Sequence, residues 1–247
     1  MHNFAREHFL KHQAKHAAAD AAMFGEMRQT SVYEKLFLQL KRDQSLLKQI
    51  QATSSKIEKK KALFDQYKSY VDGILESCPN VPDEIISNML VWTVDTGDYD
   101  YAINIMKYML KAQLNTPDQF ERTVATFVYE QVAETQLKLL SAEDEDEPFN
   151  LNVLIKLEEL LHTSADFPEH AFDMPEQVKA RLYVALGKAE MKSMSGVPEQ
   201  DLALAKKAQS HLETAIKLDD RCRGKNDHKA VTKMIADLEQ TTNVPTF

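Results

Sequence analysis

Two cysteines in 247 residues, Cys78 and Cys222, leave no disulfide framework and no Cys-rich metal site to hold this chain together. They stand far apart without paired spacing, as ordinary thiols of a reducing compartment do. Glycine is nearly as scarce, at six, and none falls in the Gly-rich patterns that cradle nucleotide phosphates. P-loop and dinucleotide-binding chemistry are therefore excluded. No apolar run reaches the roughly 20 residues of a membrane-spanning helix. The opening residues mix His, Lys and Glu and lack the apolar core of a signal peptide. Neither membrane insertion nor secretion is expected, and a chain of this length can bury a core without covalent staples.

What is present is helix. Every sustained periodicity has the 3.6-residue spacing. A first helix is expected over 3–28. A second starts at a Thr30 or Ser31 cap, with Glu34 as capping-box partner, and buries Val32, Leu36, Leu40, Leu47 and Ile50. A third, capped by Ser54 or Ser55, runs to about Ser77 behind Phe64, Tyr67, Val71 and Ile74. After the break Cys78-Pro79-Asn80-Val81-Pro82, Pro82 suits the first turn of a fourth helix carrying Ile85, Ile86, Met89, Leu90 and Trp92. Gly97 turns the chain, and Asp98 caps a fifth helix with Ala102, Ile105, Met106, Met109 and Leu110 inside. A sixth is expected from near Pro117 to about Leu140, and a seventh behind Leu151, Leu154, Leu157 and Leu161. A loop over 162–175 leads to helices near 175–194, 198–218 and 226–240. Trp92–Leu110 and Ala205–Leu238 read as helical hairpins of the tetratricopeptide kind, without a regular 34-residue period. The expected fold is all-α: stacked helical hairpins, with long N-terminal helices and TPR-like C-terminal hairpins. The expected segments are 1–80, 81–140, an acidic linker over 141–148, and 149–247.

The net charge of −8 is unevenly spread. Residues 1–70 hold 13 Lys/Arg against 7 Asp/Glu, a net +6, and residues 71–247 hold 17 against 31, a net −14. Such asymmetry fits nucleic acid at one end and protein partners at the other. The candidate phosphate contacts are Arg6, Lys11, Lys15, Arg28, Lys41, Arg42, Lys48, Lys56, Lys59, Lys60 and Lys61. Base edges need Arg, Asn or Gln, for which Arg28, Gln29 and Arg42 are candidates.

Catalytic and metal chemistry find little support. His8, His12 and His16 share one helical face but lack the carboxylate of a zinc-protease pattern. Asp95 and Asp98 suit turn and cap duties. The five consecutive carboxylates Glu143 to Glu147 are too self-repelling to preorganise a metal site. Trp92, Tyr99 and Tyr108 could stack on bases, but at helical spacing they read as core.

Val32-Tyr33-Glu34 opening a helix, a Lys-rich helix after it, and then Trp92-x-x-Asp95-Thr96-Gly97-Asp98 form an ordered set. It continues through Ala102, Ile105, Tyr108 and Leu110, then Pro117, Phe120, Arg122, Thr123, Glu130 and Ala133. This set resembles the small subunit of the phage DNA-packaging terminase, of the GpM type found in tailed temperate phages, over about residues 30–140. The resemblance departs at the tail, Asn243-Val244-Pro245-Thr246-Phe247, where some members carry a basic Lys- and Pro-rich stretch, and at the acidic run. It implies a non-catalytic component, acting in the cytoplasm of the bacterial host, that recognises cos- or pac-type duplex DNA. It also implies a homo-oligomer, generally a ring, that recruits a large subunit carrying ATPase and nuclease. No cofactor, metal or membrane is implied. Two other readings stay open: a helical scaffold binding only protein, and a metal-dependent endonuclease subunit, a label some members of this type carry.

Overall fold

The computed structural model describes residues 4–24, 31–117, 122–142 and 148–242. Among them the chain forms ten α-helices, one 3-10 turn (Ser164–Asp166) and no strand, an all-α fold. The helices are α1 (Phe4–Phe24), α2 (Ser31–Gln49), α3 (Thr53–Ser77), α4 (Glu84–Thr96) and α5 (Tyr99–Lys111). They continue as α6 (Val124–Ser141), α7 (Leu151–His162), α8 (Glu176–Lys192), α9 (Pro198–Leu218) and α10 (Lys225–Thr242). Arg28, Gln29, Thr30, Phe120, the run Glu143 to Glu147, the tail 243–247 and the Ser31 side chain lie outside the described residues. Two compact units divide the chain: Met1–Val128 with Phe167–Ala171, and Tyr129–Asp166 with Phe172–Phe247.

In the first unit α3 is the hub, touched by α1, α2, α4 and α5. It buries Leu63, Phe64, Tyr67, Tyr70, Val71 and Ile74. On α1 the small side chains Ala14, Ala17, Ala18 and Ala21 are buried, and the backbones of α1 and α3 come close at Gly73. A Cβ added at Gly73 would lie 2.7 Å from the Lys11 carbonyl oxygen and 2.8 Å from the Ala14 Cβ.

Helix α4 is buried all round from Ile85 to Val94, as a helix enclosed by its neighbours must be. Each of Ile85, Ile86, Met89 and Leu90 is fully buried and is worth about 1.5–3 kcal/mol. The start of α4 corrects the expectation at Pro82. Asp83 is the N-cap, accepting the backbone N–H of Ile85 at 2.8 Å and of Ile86 at 3.1 Å. Pro82 therefore stands before the helix, where its missing N–H costs nothing.

Between α4 and α5 the turn follows expectation. Gly97 sits at φ 78°, its N–H reaches the Val94 carbonyl, and the Asp98 N–H reaches the Thr93 carbonyl. That is a Schellman closure, which needs a left-handed residue where Gly97 stands. Helix α6 begins at Val124, seven residues later than expected from Pro117. Thr123 supplies the cap, its hydroxyl accepting the Thr126 N–H at 3.2 Å. Thr116 and Pro117 stay in the connection, where the Thr116 hydroxyl donates to the Arg122 carbonyl at 2.6 Å.

In the second unit α7 packs on α8, α8 on α9, and α9 on α10. Asn150 caps α7. Alanines 205, 208 and 215 with Leu212 let α9 lie close to α8, and Val231 and Ile235 anchor α10. The Asp201 carboxylate accepts the N–H groups of Ser195 and Gly196, both at 2.8 Å, and so closes the α8–α9 turn.

Candidate nucleic-acid interface

The basic residues sit on α1, α2 and α3, and the fold sorts them into held and unheld groups. Lys11 and Lys15, one turn apart on α1, share Glu76 on α3. Lys41 on α2 pairs with Glu84 at 3.2 Å and stands 4.6 Å from the centre of the Phe37 ring. Lys60 lies on the packed side of α3, its side chain only 13% exposed, paired with Asp95 at the end of α4. That pair extends the α3–α4 contact one turn beyond Leu63, the first buried apolar residue of α3. Arg6 is exposed on α1.

Arg42, Lys48, Lys56, Lys59 and Lys61 have no side-chain partner among the described residues. Lys48 closes α2, while Lys56 and Lys59 fall in the opening turns of α3, so the three-residue link 50–52 brings these cations to one hairpin end. The α3 cap corrects the expectation of Ser54 or Ser55. Ala52 holds the N-cap position and no side chain bonds to the first turn. Its open backbone N–H groups add a partial positive charge beside Lys56.

Lys41 and Lys48 also border a hollow of about 570 Å³. Its wall carries the amides Gln44, Asn88, Gln113 and Asn115, and Gln44 donates to Asn88 at 2.7 Å. Amides of this kind can both donate to and accept from base edges.

The Trp92–Asp98 stretch is architectural. Trp92 is buried and meets Tyr67 edge-on, ring centres 5.7 Å apart. The Thr93 hydroxyl donates back to the Met89 and Leu90 carbonyls. Asp95 holds Lys60, Thr96 bonds the Thr93 carbonyl, and Asp98 caps α5 through the Tyr101 N–H. Tyr108 is buried as well, and Tyr99 is half-buried.

Several buried polar groups escaped the sequence reading. Asp43 sits in the α2 stripe of Tyr33, Leu36, Leu40 and Leu47, and accepts the Tyr67 hydroxyl at 2.6 Å. Its place at core spacing is the one local signal that could have marked it. Asp83 accepts the Tyr70 hydroxyl at 2.6 Å. Burial pushes its carboxyl up to about 6, against the bonds from Tyr70, Ile86 and Ile85 that favour the charged form. In the second unit His211 is gripped by Glu190 at 2.8 Å on Nδ1 and Glu158 at 3.1 Å on Nε2. Burial opposes the imidazolium, yet the bonds to the two carboxylates prevail and raise it to about 9.

These carboxylates stand apart, each tied to a cap, a phenol or a cation. Among the described residues no group of three His, Cys, Asp or Glu side chains is placed to hold a metal ion. His8 and His12 lie with ring centres 4.4 Å apart, tilted at 46°, on the exposed side of α1. No described helix is long and apolar enough to cross a membrane.

An all-helical chain with a cationic hairpin end and a Trp-to-Asp turn built for packing matches the family model of the phage small terminase subunit over residues 37–180, and the chain belongs to that family. The stretch runs from within α2 to within α8. Among curated proteins it is similar to the "Terminase, endonuclease subunit" of Escherichia phage P2, with 30% identity over 215 residues, 87% of this chain and 78% of that relative. No solved structure matches. The family makes the chain a subunit of a phage DNA-packaging terminase.

Proposed function

We propose that this chain is the DNA-recognising subunit of its terminase. It grips packaging-site duplex, of cos or pac type, through the α2–α3 hairpin end and assembles into a homo-oligomer, a ring in the arrangement the family suggests. It brings the duplex to the large ATPase-nuclease subunit in the host cytoplasm. The observation that carries this reading is the sorting of cations: Lys11, Lys15, Lys41 and Lys60 are held in ion pairs, while Lys48, Lys56, Lys59 and Lys61 are left for phosphates beside an uncapped helix start. Phosphate contacts position a duplex, and the amide hollow next to Lys48 supplies groups that can read bases. The chain takes no cofactor in this role.

The test is salt-dependent retention of packaging-site duplex against random duplex. The triple variant Lys48→Glu, Lys56→Glu, Lys59→Glu is expected to retain duplex far less, with the log–log salt slope shallower by about 0.9 for each phosphate no longer neutralised. Unchanged retention would favour a scaffold that binds only protein.

The relative's name raises a nuclease role. We assign none to this chain, because its buried carboxylates serve caps, phenols and cations. Cleavage of packaging-site DNA by the purified chain with magnesium or manganese would overturn that assignment.

A further inference from the structure

The second unit carries a net charge of −7, yet one hollow in it is lined by four cations against two carboxylates. The hollow measures about 520 Å³ and is walled by α6, α8 and the α9–α10 turn. Its cations are Lys138 on α6, Arg181 on α8, and Arg221 and Arg223 on the turn. Arg181 is fixed from α6, its Nη1 donating to Glu130 at 3.1 Å and to Glu134 at 2.7 Å. Both bonds use that one nitrogen, so the other donors of the guanidinium stay open. Lys138, Arg221 and Arg223 are exposed and have no side-chain partner among the described residues. The turn that carries two of them is pinned. The Asp219 carboxylate accepts the Arg221 N–H at 3.0 Å, and the Asp219 carbonyl accepts the Cys222 N–H at 2.9 Å. A Cβ added at Gly224 would lie 3.2 Å from the side chains of both Leu212 and Val184. Of the carboxylates in the wall, Glu134 is taken by Arg181 and Asp219 by the turn's own N–H. The three open cations therefore repel one another without an ion-pair partner.

We propose that this hollow binds a small polyphosphate anion, carried as the tail of a nucleoside triphosphate. Phosphoryl oxygens accept charge-assisted bonds from guanidinium donors, two at a time where the planar fork allows. The volume falls within the roughly 300–1,000 Å³ of small-molecule sites. Beyond its cations the wall offers apolar Leu137 and Val184 and the Gln177 amide. Those groups suit a sugar and a base better than further phosphate, which favours a nucleotide over free polyphosphate. The sequence has no Gly-rich phosphate loop, so side chains hold the anion here rather than a cradle of backbone N–H groups. Arg181, Arg221 and Arg223 lie beyond residues 37–180, so the family match does not describe this site. The hollow shares no residue with the α2–α3 hairpin end, and either reading can fail without the other.

The experiment is calorimetric titration of the full chain with ATP, with tripolyphosphate and with adenosine. It is repeated on the double variant Arg221→Glu, Arg223→Glu and on the hairpin triple variant Lys48→Glu, Lys56→Glu, Lys59→Glu, with circular dichroism confirming that each is folded. ATP and tripolyphosphate are expected to bind the wild type saturably, and adenosine not measurably. The Arg221 and Arg223 reversals weaken both anions by at least about tenfold, while the hairpin variant binds them as the wild type does. ATP binding tighter than tripolyphosphate upholds the site with a nucleotide as its ligand, and equal affinity upholds it with free polyphosphate. Absence of binding overturns it, as does binding that the hairpin variant loses and the double reversal keeps. A wild type that binds neither anion, but whose duplex retention falls in the double reversal, makes the hollow a nucleic-acid contact and overturns the proposal too.

Discussion

Neighbouring lysines of one helix have opposite duties here. Lys59 is exposed and without a partner, whereas Lys60 is largely covered and holds Asp95. Lys59→Glu is expected to weaken duplex retention and leave the melting temperature nearly unchanged, because exposed substitutions fall within about 0.5 kcal/mol. Lys60→Glu puts a carboxylate against Asp95 in a poorly solvated place and is expected to lower the melting temperature by several degrees, on the order of 2 kcal/mol. Calorimetry beside filter retention separates the two, and equal thermal losses would show that Lys60 is not structural. At Gly97 the demand is conformational. An added Cβ meets nothing within 4 Å, yet φ is 78°. Gly97→Ala is therefore expected to cost about 1–2 kcal/mol through backbone strain alone, read as a shift in denaturant midpoint with unchanged slope. Asp83 carries a pH signature. Its carboxyl titrates near 6 in the folded chain, above its ordinary 3.8, so the folded state holds the extra proton. Its contribution is full below about pH 4 and is lost as pH rises through 6. Asp83→Asn is expected to flatten the stability profile over that window. A profile equally steep in the variant would remove Asp83 as its source.

Elements in this fold are stitched by polar pairs as well as by apolar faces. In the second unit α7, α8 and α9 meet at one imidazolium, His211 between Glu158 and Glu190. The folded-state value of about 9 lies above the ordinary 6.5. The clamp is fully present below about pH 6.5 and is lost as pH rises through 9. The melting temperature is expected to fall across that window, and His211→Gln to start lower and change little. A midpoint independent of pH from 6.5 to 9.5 in the wild type would show that the clamp carries no net stability. The same elements show what a sequence can convey. The Gly97-Asp98 turn and the apolar stripes of α2, α3 and α5 are legible because their signals lie within one or two helical turns. The starts of α3, α4 and α6 shift because several Ser, Thr, Asp or Pro residues compete within a few positions, and tertiary packing chooses among them. Periodicity can turn a lysine outward, but only the fold shows which lysines meet a carboxylate. Lys60 and Asp95 are 35 residues apart, Asp43 and Tyr67 are 24 apart, and no local pattern joins them. Of the candidate phosphate contacts, the hairpin group was therefore readable as residues but not as a group.

At the scale of the whole chain the charge division is finer than a basic end and an acidic remainder. The first unit, residues 1–128 with 167–171, holds 16 Lys/Arg against 17 Asp/Glu, so its net charge is −1. The second holds 14 against 21, a net −7. The +6 of residues 1–70 is thus offset inside its own unit, and Glu76, Glu84 and Asp95 are three of the groups that offset it. The unpaired cations of the α2–α3 hairpin end stand on a chain whose net charge is −8. A net negative charge opposes a duplex approaching from a distance, and so works against indiscriminate binding. Neutralising the run Glu143 to Glu147 to the corresponding Gln and Asn would take the chain from −8 to −3 without touching a hairpin lysine. Retention of random duplex is expected to rise several-fold at about 0.01 M salt, where the Debye length is about 30 Å, and to match the wild type at 1 M, where it is about 3 Å. Packaging-site duplex is expected to gain less, so discrimination narrows. An unchanged ratio of site to random retention at low salt would mean that the acidic remainder plays no part in selectivity, leaving the hairpin end and the amide hollow beside it to supply all of it.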